Sequence, residues 1–135
     1  FIASADRLVD LCRRVAADHP VDQEAIDGVV RAWAGAQAYR WQAAATATRV
    51  EEGSTLGSEP SMMKIFWSEL DVERHATALR LLGVRADLLE EAPAAVDGGS
   101  WLAGYLFALA GPIYAGTNEL QRNIVAERVL GLPRA

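Results

Sequence analysis

Six consecutive residues near the C-terminus have the types and spacing to meet a ligand: Tyr114-Ala115-Gly116-Thr117-Asn118-Glu119. Alanine and glycine here read as a tight turn, and the polar residues after them open an amphipathic helix. The first N–H groups of a helix have no partner inside it, and they carry its partial positive charge. Such a mouth suits an anionic or polar ligand. A purely local reading stands beside it. Thr117 or Asn118 starts the helix, and Asn118 with Gln121 three residues on resembles a capping box. The residues alone leave both readings open.

Elsewhere the chemistry is sparse. His19 lies in a loop and His75 in the charged stretch Asp71-Val72-Glu73-Arg74-His75, so both read as surface histidines, with no second ligand at metal spacing. Cys12 falls on the apolar stripe of its helix and reads as an inert thiol. The paired acids Glu51-Glu52 and Glu90-Glu91 sit in loops and read as solvated. The chain contains no nucleophile elbow, phosphate loop or dinucleotide fingerprint. Trp33, Trp41, Phe66 and Trp67 are spaced as helix-face residues, which suits a core or a subunit contact.

The elements that must position the turn are helices. A chain of 135 residues, 51% hydrophobic and 23% charged, supports one domain with a real core. Its net charge of −5 and scattered basic residues argue against nucleic acid and anionic membrane surfaces. The lone Cys12 precludes an internal disulfide and fits a reducing, cytoplasmic setting. No apolar run reaches the roughly 20 residues of a membrane span.

Helical periodicity predicts a first helix over residues 2–17, with Leu8, Leu11, Cys12 and Val15 on one side. The chain opens without methionine and is helical from the start, so it is expected to continue a longer protein. A second helix is expected from about Asp22, as its cap, to Glu51, with Ile26, Val29, Val30, Trp33, Ala36 and Trp41 as its apolar side and Gly28 and Gly35 weakening it slightly. A third is expected from Glu59 or Pro60 to Leu82, closed by Gly83. Its apolar stripe is read as Ile65, Glu69, Val72, Ala76 and Leu79, widened by Met62, Phe66 and Leu70. A short helical turn and a loop follow. Residues 101–111 read as helix or as buried irregular chain, and a last helix starts at Thr117 or Asn118. The fold class is therefore all-α, an antiparallel up-and-down bundle with a short C-terminal helix.

The segment from Ile113 to Arg134, "IYAGTNELQRNIVAERVLGLPR", strongly resembles the C-terminal signature of the acyl-CoA dehydrogenase family. "PSMMKIFWSEL", Pro60 to Leu70, resembles the family's helix that runs from a small-residue, Met, Lys pattern to Ser-Glu. In that family such a region is the C-terminal helical domain, after an N-terminal helical domain and a middle β-domain. The resemblance implies α,β-dehydrogenation of an acyl-CoA thioester to an enoyl-CoA. FAD is the implied cofactor, an electron-transfer flavoprotein or similar acceptor the electron partner, and a homo- or hetero-tetramer the assembly.

It also implies roles for the turn. Tyr114, Ala115 and Gly116 would line the substrate side, with the Ala115 backbone N–H holding the thioester oxygen, while Thr117, Asn118 and Glu119 would meet the flavin. Many members carry a catalytic glutamate where this chain has Ala115, and alanine accepts no proton. Some members place the base earlier, near the start of this domain's first helix, a position that here would precede Phe1. Two cofactor-side segments are also unmatched. An Arg-x-x-Phe-Gly segment is missing before the second helix, and a Gln-x-x-Gly-Gly motif after the third keeps only Gly83. These departures resemble a divergent bacterial branch in which unlike subunits form the working enzyme. Three readings follow: a catalytic subunit with its base elsewhere, a non-catalytic partner subunit, or a helical interaction domain without a redox role.

Overall fold

The computed structural model describes residues 2–133, with side chains from residue 5. Phe1 and Arg134, the latter closing the resembling segment, lie outside the described residues. All regular structure among the described residues is helical: α1 (Ile2–Asp18), α2 (Gln23–Glu51), α3 (Glu59–Leu82), α4 (Ser100–Ala108) and α5 (Asn118–Arg128), with single 3-10 turns at Gly83–Arg85 and Val96–Gly99. No helix among them is long and apolar enough to cross a membrane.

Local chemistry sets the boundaries. Asp22 caps α2, its Oδ1 accepting from the Ala25 N–H at 2.7 Å. Pro60 sits in the first turn of α3, where a missing N–H costs nothing. Gly83 ends α3 at φ +54°, a conformation that disfavours side chains. Ion pairs between the start of α2 and the end of α3 (Asp22–Arg80) and between the end of α2 and the start of α3 (Arg49–Glu59) mark the two as antiparallel.

The apolar core lies where α1, α2, the C-terminal half of α3 and α4 meet. Leu8, Leu11, Ala25, Val29, Ala32, Ala78, Leu81, Leu82 and Trp101 are buried there, with Cys12 half-buried against them. Helix α3 is the hub, packing against all four other helices.

Two expected faces differ from the observed ones. On α2 the buried residues are Ala25, Gly28, Val29, Ala32 and Ala36, whereas Ile26, Val30 and Trp33 are exposed and Trp41 is 70% exposed. The glycines explain this. A Cβ on Gly28 would lie 2.8 Å from Thr77 Oγ1, and one on Gly35 2.8 Å from Leu70 Cδ2. They let α2 approach α3 too closely for wide side chains, which are left on the flanks. On α3 the buried residues are Lys64, Ser68, Leu70, Arg74, Thr77, Ala78, Leu81 and Leu82. The expected stripe of Ile65, Val72 and Leu79 is only half-buried, and Glu69 and Ala76 are exposed. A helix covered from several sides has no single apolar stripe to report, and its buried polar groups are held by partners instead.

His75 is one of these. It is no surface residue: its side chain is 12% exposed, its Nδ1 lies 2.9 Å from the Asp71 carbonyl, and its ring sits edge-on to Trp101 at 6.0 Å between centroids. Burial opposes ionisation of the Asp71 carboxyl, but the contacts with His75 and Arg74 outweigh it and hold the group below the usual carboxylate range. Asp97 ties α1 to α4, accepting both carboxylate bonds from Arg14 Nη2 (3.0 and 2.9 Å) and one from Trp101 Nε1 (2.8 Å).

Candidate functional site

Helix α4 ends at Ala108, and the chain turns through Gly111–Ile113 into the segment Tyr114–Thr117. The Asn118 N–H donates to the Pro112 carbonyl at 2.8 Å, closing the turn into a ring. Within it Ala115 adopts φ +54° and Gly116 φ +83°. A left-handed alanine costs about 1–2 kcal/mol against its ordinary conformations, so the surrounding contacts hold it there. One is visible: Gln121 Nε2 donates to the Ala115 carbonyl at 3.0 Å. In a trans peptide the N–H points opposite the C=O, so the Gly116 N–H of this unit faces away from Gln121. Among the described residues, the N–H groups of Ala115 and Gly116 find no acceptor within the chain.

The cap of α5 is Thr117, whose Oγ1 accepts from the Leu120 N–H at 3.3 Å. The capping box expected on Asn118 and Gln121 is not formed, because both side chains are used elsewhere. Asn118 is 2% exposed and turned into the protein. Its Oδ1 accepts from Lys64 Nζ at 2.7 Å, and its Nδ2 donates to Ser68 Oγ and to Glu69 Oε1, both at 3.1 Å. Glu69 also pairs with Arg122, one turn along α5.

Glu119 is exposed. Its own backbone N–H, then the Thr117 hydroxyl, hold its carboxyl below the usual range, with Arg122 and Lys64 adding to the effect. Tyr114 is exposed and stacks obliquely on Trp67 of α3, 6.0 Å between centroids.

Of the six residues singled out in the sequence, five therefore sit at one surface and one beneath it. Tyr114, Ala115, Gly116 and Glu119 are exposed, Thr117 is half-buried, and Asn118 anchors the rest. The surface offers the Ala115 and Gly116 N–H groups, unpaired among the described residues, with the positive end of α5 and an aromatic flank. That fits a ligand with a polar or anionic edge and an aromatic or acyl body. It is not a pocket in itself. An apolar groove of 370 Å³ lies between α2 and α3, lined by residues that include Ala38, Met62, Met63 and Phe66, and does not include the turn. Concavity and candidate chemistry are separate here, and the chemistry is the better guide because it has specific donors.

The family model described as "acyl-CoA dehydrogenase, C-terminal domain" matches residues 3–130. The chain belongs to the acyl-CoA dehydrogenase family. It is 38% identical over 128 residues to the acyl-CoA dehydrogenase IpdE1 of Mycolicibacterium smegmatis, covering 94% of this chain and 30% of that protein. It is 37% identical over 137 residues to IpdE1 of Mycobacterium tuberculosis, covering 99% of this chain and 33% of that protein. The chain thus spans about a third of the length of these relatives. In fold it is similar to a chain of the ChsE4–ChsE5 complex of Mycobacterium tuberculosis (TM-score 0.83, 24% identity, 99% of this chain, 37% of that one). It is likewise similar to a chain of the Tcur3481–Tcur3483 steroid acyl-CoA dehydrogenase (TM-score 0.78, 23% identity, 97% and 35%). These neighbours bear out the helical-domain architecture.

Lys64 and Ser68 belong to the surroundings of the turn in this acyl-CoA dehydrogenase domain, and reading the sequence by apolar stripe alone missed them; Trp67, expected at a core or subunit contact, flanks the turn through Tyr114. A signal was present. Lys64 and Ser68 fall at i and i+4, on one helical face, with Glu69 at its edge, inside the segment that carries the family resemblance.

Proposed function

We propose that this chain is the C-terminal helical domain of a longer FAD-dependent acyl-CoA dehydrogenase that oxidises an acyl-CoA thioester to an enoyl-CoA. The observation that carries the reading is the turn: two unpaired N–H groups on a strained, clamped backbone at a helix mouth, in a chain of this family. The short share of its relatives that the chain covers supports further domains, a helical one and a β-domain, elsewhere in the protein.

In this reading the Ala115 N–H receives the thioester carbonyl oxygen, and that hydrogen bond strengthens as the α-proton leaves and charge builds on the oxygen. Gly116 carries no side chain, which leaves room for the acyl group beside Tyr114. Thr117 and Glu119 would help hold the flavin, and Asn118 would contribute by anchoring them. Bound flavin supplies the acceptor for the β-hydride. The α-proton goes to a carboxylate outside this chain's turn, because Ala115 has none. The exposed apolar residues of α2, Val30, Trp33 and Trp41, fit a subunit contact in a tetramer, since contiguous apolar patches are uncommon on monomers.

Ala115 also favours a second reading, a partner subunit without a base that completes an active unlike subunit. The two separate by experiment. Full-length protein is purified alone and with its natural partner, flavin absorbance is recorded, and oxidation of a panel of fatty-acyl and steroid side-chain CoA thioesters is followed with an artificial acceptor. Activity of the protein alone supports the catalytic reading; activity only with the partner supports the second. Absence of both flavin and activity in every preparation rejects both. Ala115→Glu adds a sharper arm, because gain of weak activity in the isolated subunit identifies a site that lacked only its base.

A further inference from the structure

The amide of Asn118 has one satisfactory orientation, and Lys64 sets it. Lys64 is 8% exposed and Ser68 0% exposed, so both meet the Asn118 side chain away from water. An ammonium group only donates, so the amide oxygen must face Lys64 Nζ, 2.7 Å away. That leaves both amide protons for Ser68 Oγ and Glu69 Oε1, each at 3.1 Å. Ser68 has a single proton, shared between the Ile65 carbonyl at 3.1 Å and Asn118 Oδ1 at 3.2 Å, and in either case its oxygen can accept from the Asn118 amide. The network closes with no donor or acceptor in conflict. Inverting the amide would set its NH2 against the ammonium and its oxygen against the Glu69 carboxylate.

Asn118 is also the residue whose backbone closes the ring to Pro112, at 2.8 Å, and it follows Ala115 and Gly116 by only three and two positions. Whatever holds its side chain holds the turn.

We propose that Lys64 and Ser68 are positioning residues: by gripping the Asn118 amide from beneath, they hold the turn that aims the Ala115 and Gly116 N–H groups. The inference rests on the reading of the turn as the thioester-binding element. Its geometric half, that Lys64 and Ser68 order the turn, stands without that reading. Neither residue touches substrate or flavin in this account. Their effect passes through one amide and a five-residue backbone segment. Misplacement of a reacting group by about 1 Å can cost on the order of 10²-fold in rate.

The test uses the full-length protein, with its partner where activity requires one, in three variants. Lys64→Met keeps chain length and loses the donor. Lys64→Gln restores a donor without the charge. Ser68→Ala removes the acceptor for one amide proton and is the smallest change, so it serves if Lys64→Met fails to fold. Two readouts are taken: kcat and KM for acyl-CoA oxidation per bound flavin, and hydrogen exchange of the amides from Ala115 to Asn118 against those of α1 and α2.

The expected result for Lys64→Met is faster exchange confined to the turn. It comes with a fall of about 10- to 100-fold in kcat per flavin and an equal fall in kcat/KM, as for an interaction realised in the transition state. Lys64→Gln should recover most of both, and Ser68→Ala should move both in the same direction by less. A merely structural role would lower flavin content and leave kcat per bound flavin unchanged. Turn exchange equal to wild type in Lys64→Met and Ser68→Ala overturns the proposal. Faster turn exchange in a protein whose wild type oxidises no acyl-CoA upholds the positioning role and overturns the proposed function instead.

Discussion

The two halves of α3 are buried in different currencies. Its C-terminal half presents Thr77, Ala78, Leu81 and Leu82 to α1, α2 and α4, and beyond the Asp71, Arg74 and His75 contacts at its start it is held by apolar contact and close approach. Its N-terminal half presents Lys64 and Ser68 to α5, and is held by a closed set of hydrogen bonds around Asn118. Apolar packing tolerates repacking, because dispersion and water exclusion have no direction. A hydrogen-bonded seam does not, since each donor needs its own acceptor. The half that needs only stability is built from interchangeable groups, and the half beneath the turn from groups that fix an orientation.

The largest expected effect probes the apolar half. Leu8 is 0% exposed in the core, and Leu8→Ala should cost about 2–5 kcal/mol. Thermal melting of the full-length protein should show a drop on the order of 10 °C. Activity per folded molecule should not change, and a change there would break the separation between the halves.

Next comes the seam. Asn118→Ala leaves the Lys64 ammonium buried without its acceptor, at a cost of about 1–3 kcal/mol. Asn118→Asp is the informative companion. Its carboxylate keeps Lys64 satisfied but meets the Glu69 carboxylate where the amide once donated. Denaturant melts should rank wild type above both variants. Parity of Asn118→Ala with wild type would show that the seam carries no weight.

Smaller again is Ala115→Gly. Glycine relieves the left-handed strain at φ +54° but enlarges the freedom of the unfolded chain, and the two effects nearly cancel. Stability should stay within about 1 kcal/mol and turnover within about twofold, because the N–H is retained. Ala115→Pro removes the N–H and, with φ restricted near −65°, also the turn, so its loss of activity would not isolate the hydrogen bond.

The smallest effect is Asp97→Asn, read against pH. The hydrogen bonds from Arg14, then Trp101 and the charge of Arg7, hold the Asp97 carboxyl below its ordinary value. A depressed carboxyl stabilises the fold above its unfolded value of about 4 and loses that contribution as pH falls through the lower folded value. The melting difference between wild type and Asp97→Asn should be full at pH 6 and shrink progressively as pH falls below about 4. A constant difference would assign the effect to packing on Trp101 instead.

Much of the architecture was legible in the sequence. Asp22 as a cap, the breaks around Gly53 and Gly83, and the family segments located α1, α2, α3 and the start of α5 to within a residue or two, while the type and end of α4 stayed open. The buried face of α1 was legible in Leu8, Leu11, Cys12 and Val15, but those of α2 and α3 were not, for a physical reason. Apolar periodicity reports which side of a helix is covered when one side is covered, and α3 is covered by four neighbours. Gly28 and Gly35, read as weak points of α2, are the contacts that bring it against α3. The six turn residues were found together, but Asn118 read as a cap or ligand contact because its true partners lie about 50 residues earlier in the chain. Only the spacing of Lys64 and Ser68 hinted at them.

The contrast between the halves is tested most directly by comparing two variants at equal cost. Leu8→Ala and Asn118→Ala are made in the full-length protein, with its partner where one is required. The temperature of each assay is set the same distance below that variant's own melting point, and acyl-CoA oxidation is measured per bound flavin. Leu8→Ala should keep wild-type turnover, while Asn118→Ala should lose about tenfold or more, because only the second releases the turn. Equal turnover in the two variants would contradict the account, and would make the seam under the turn one more part of the core.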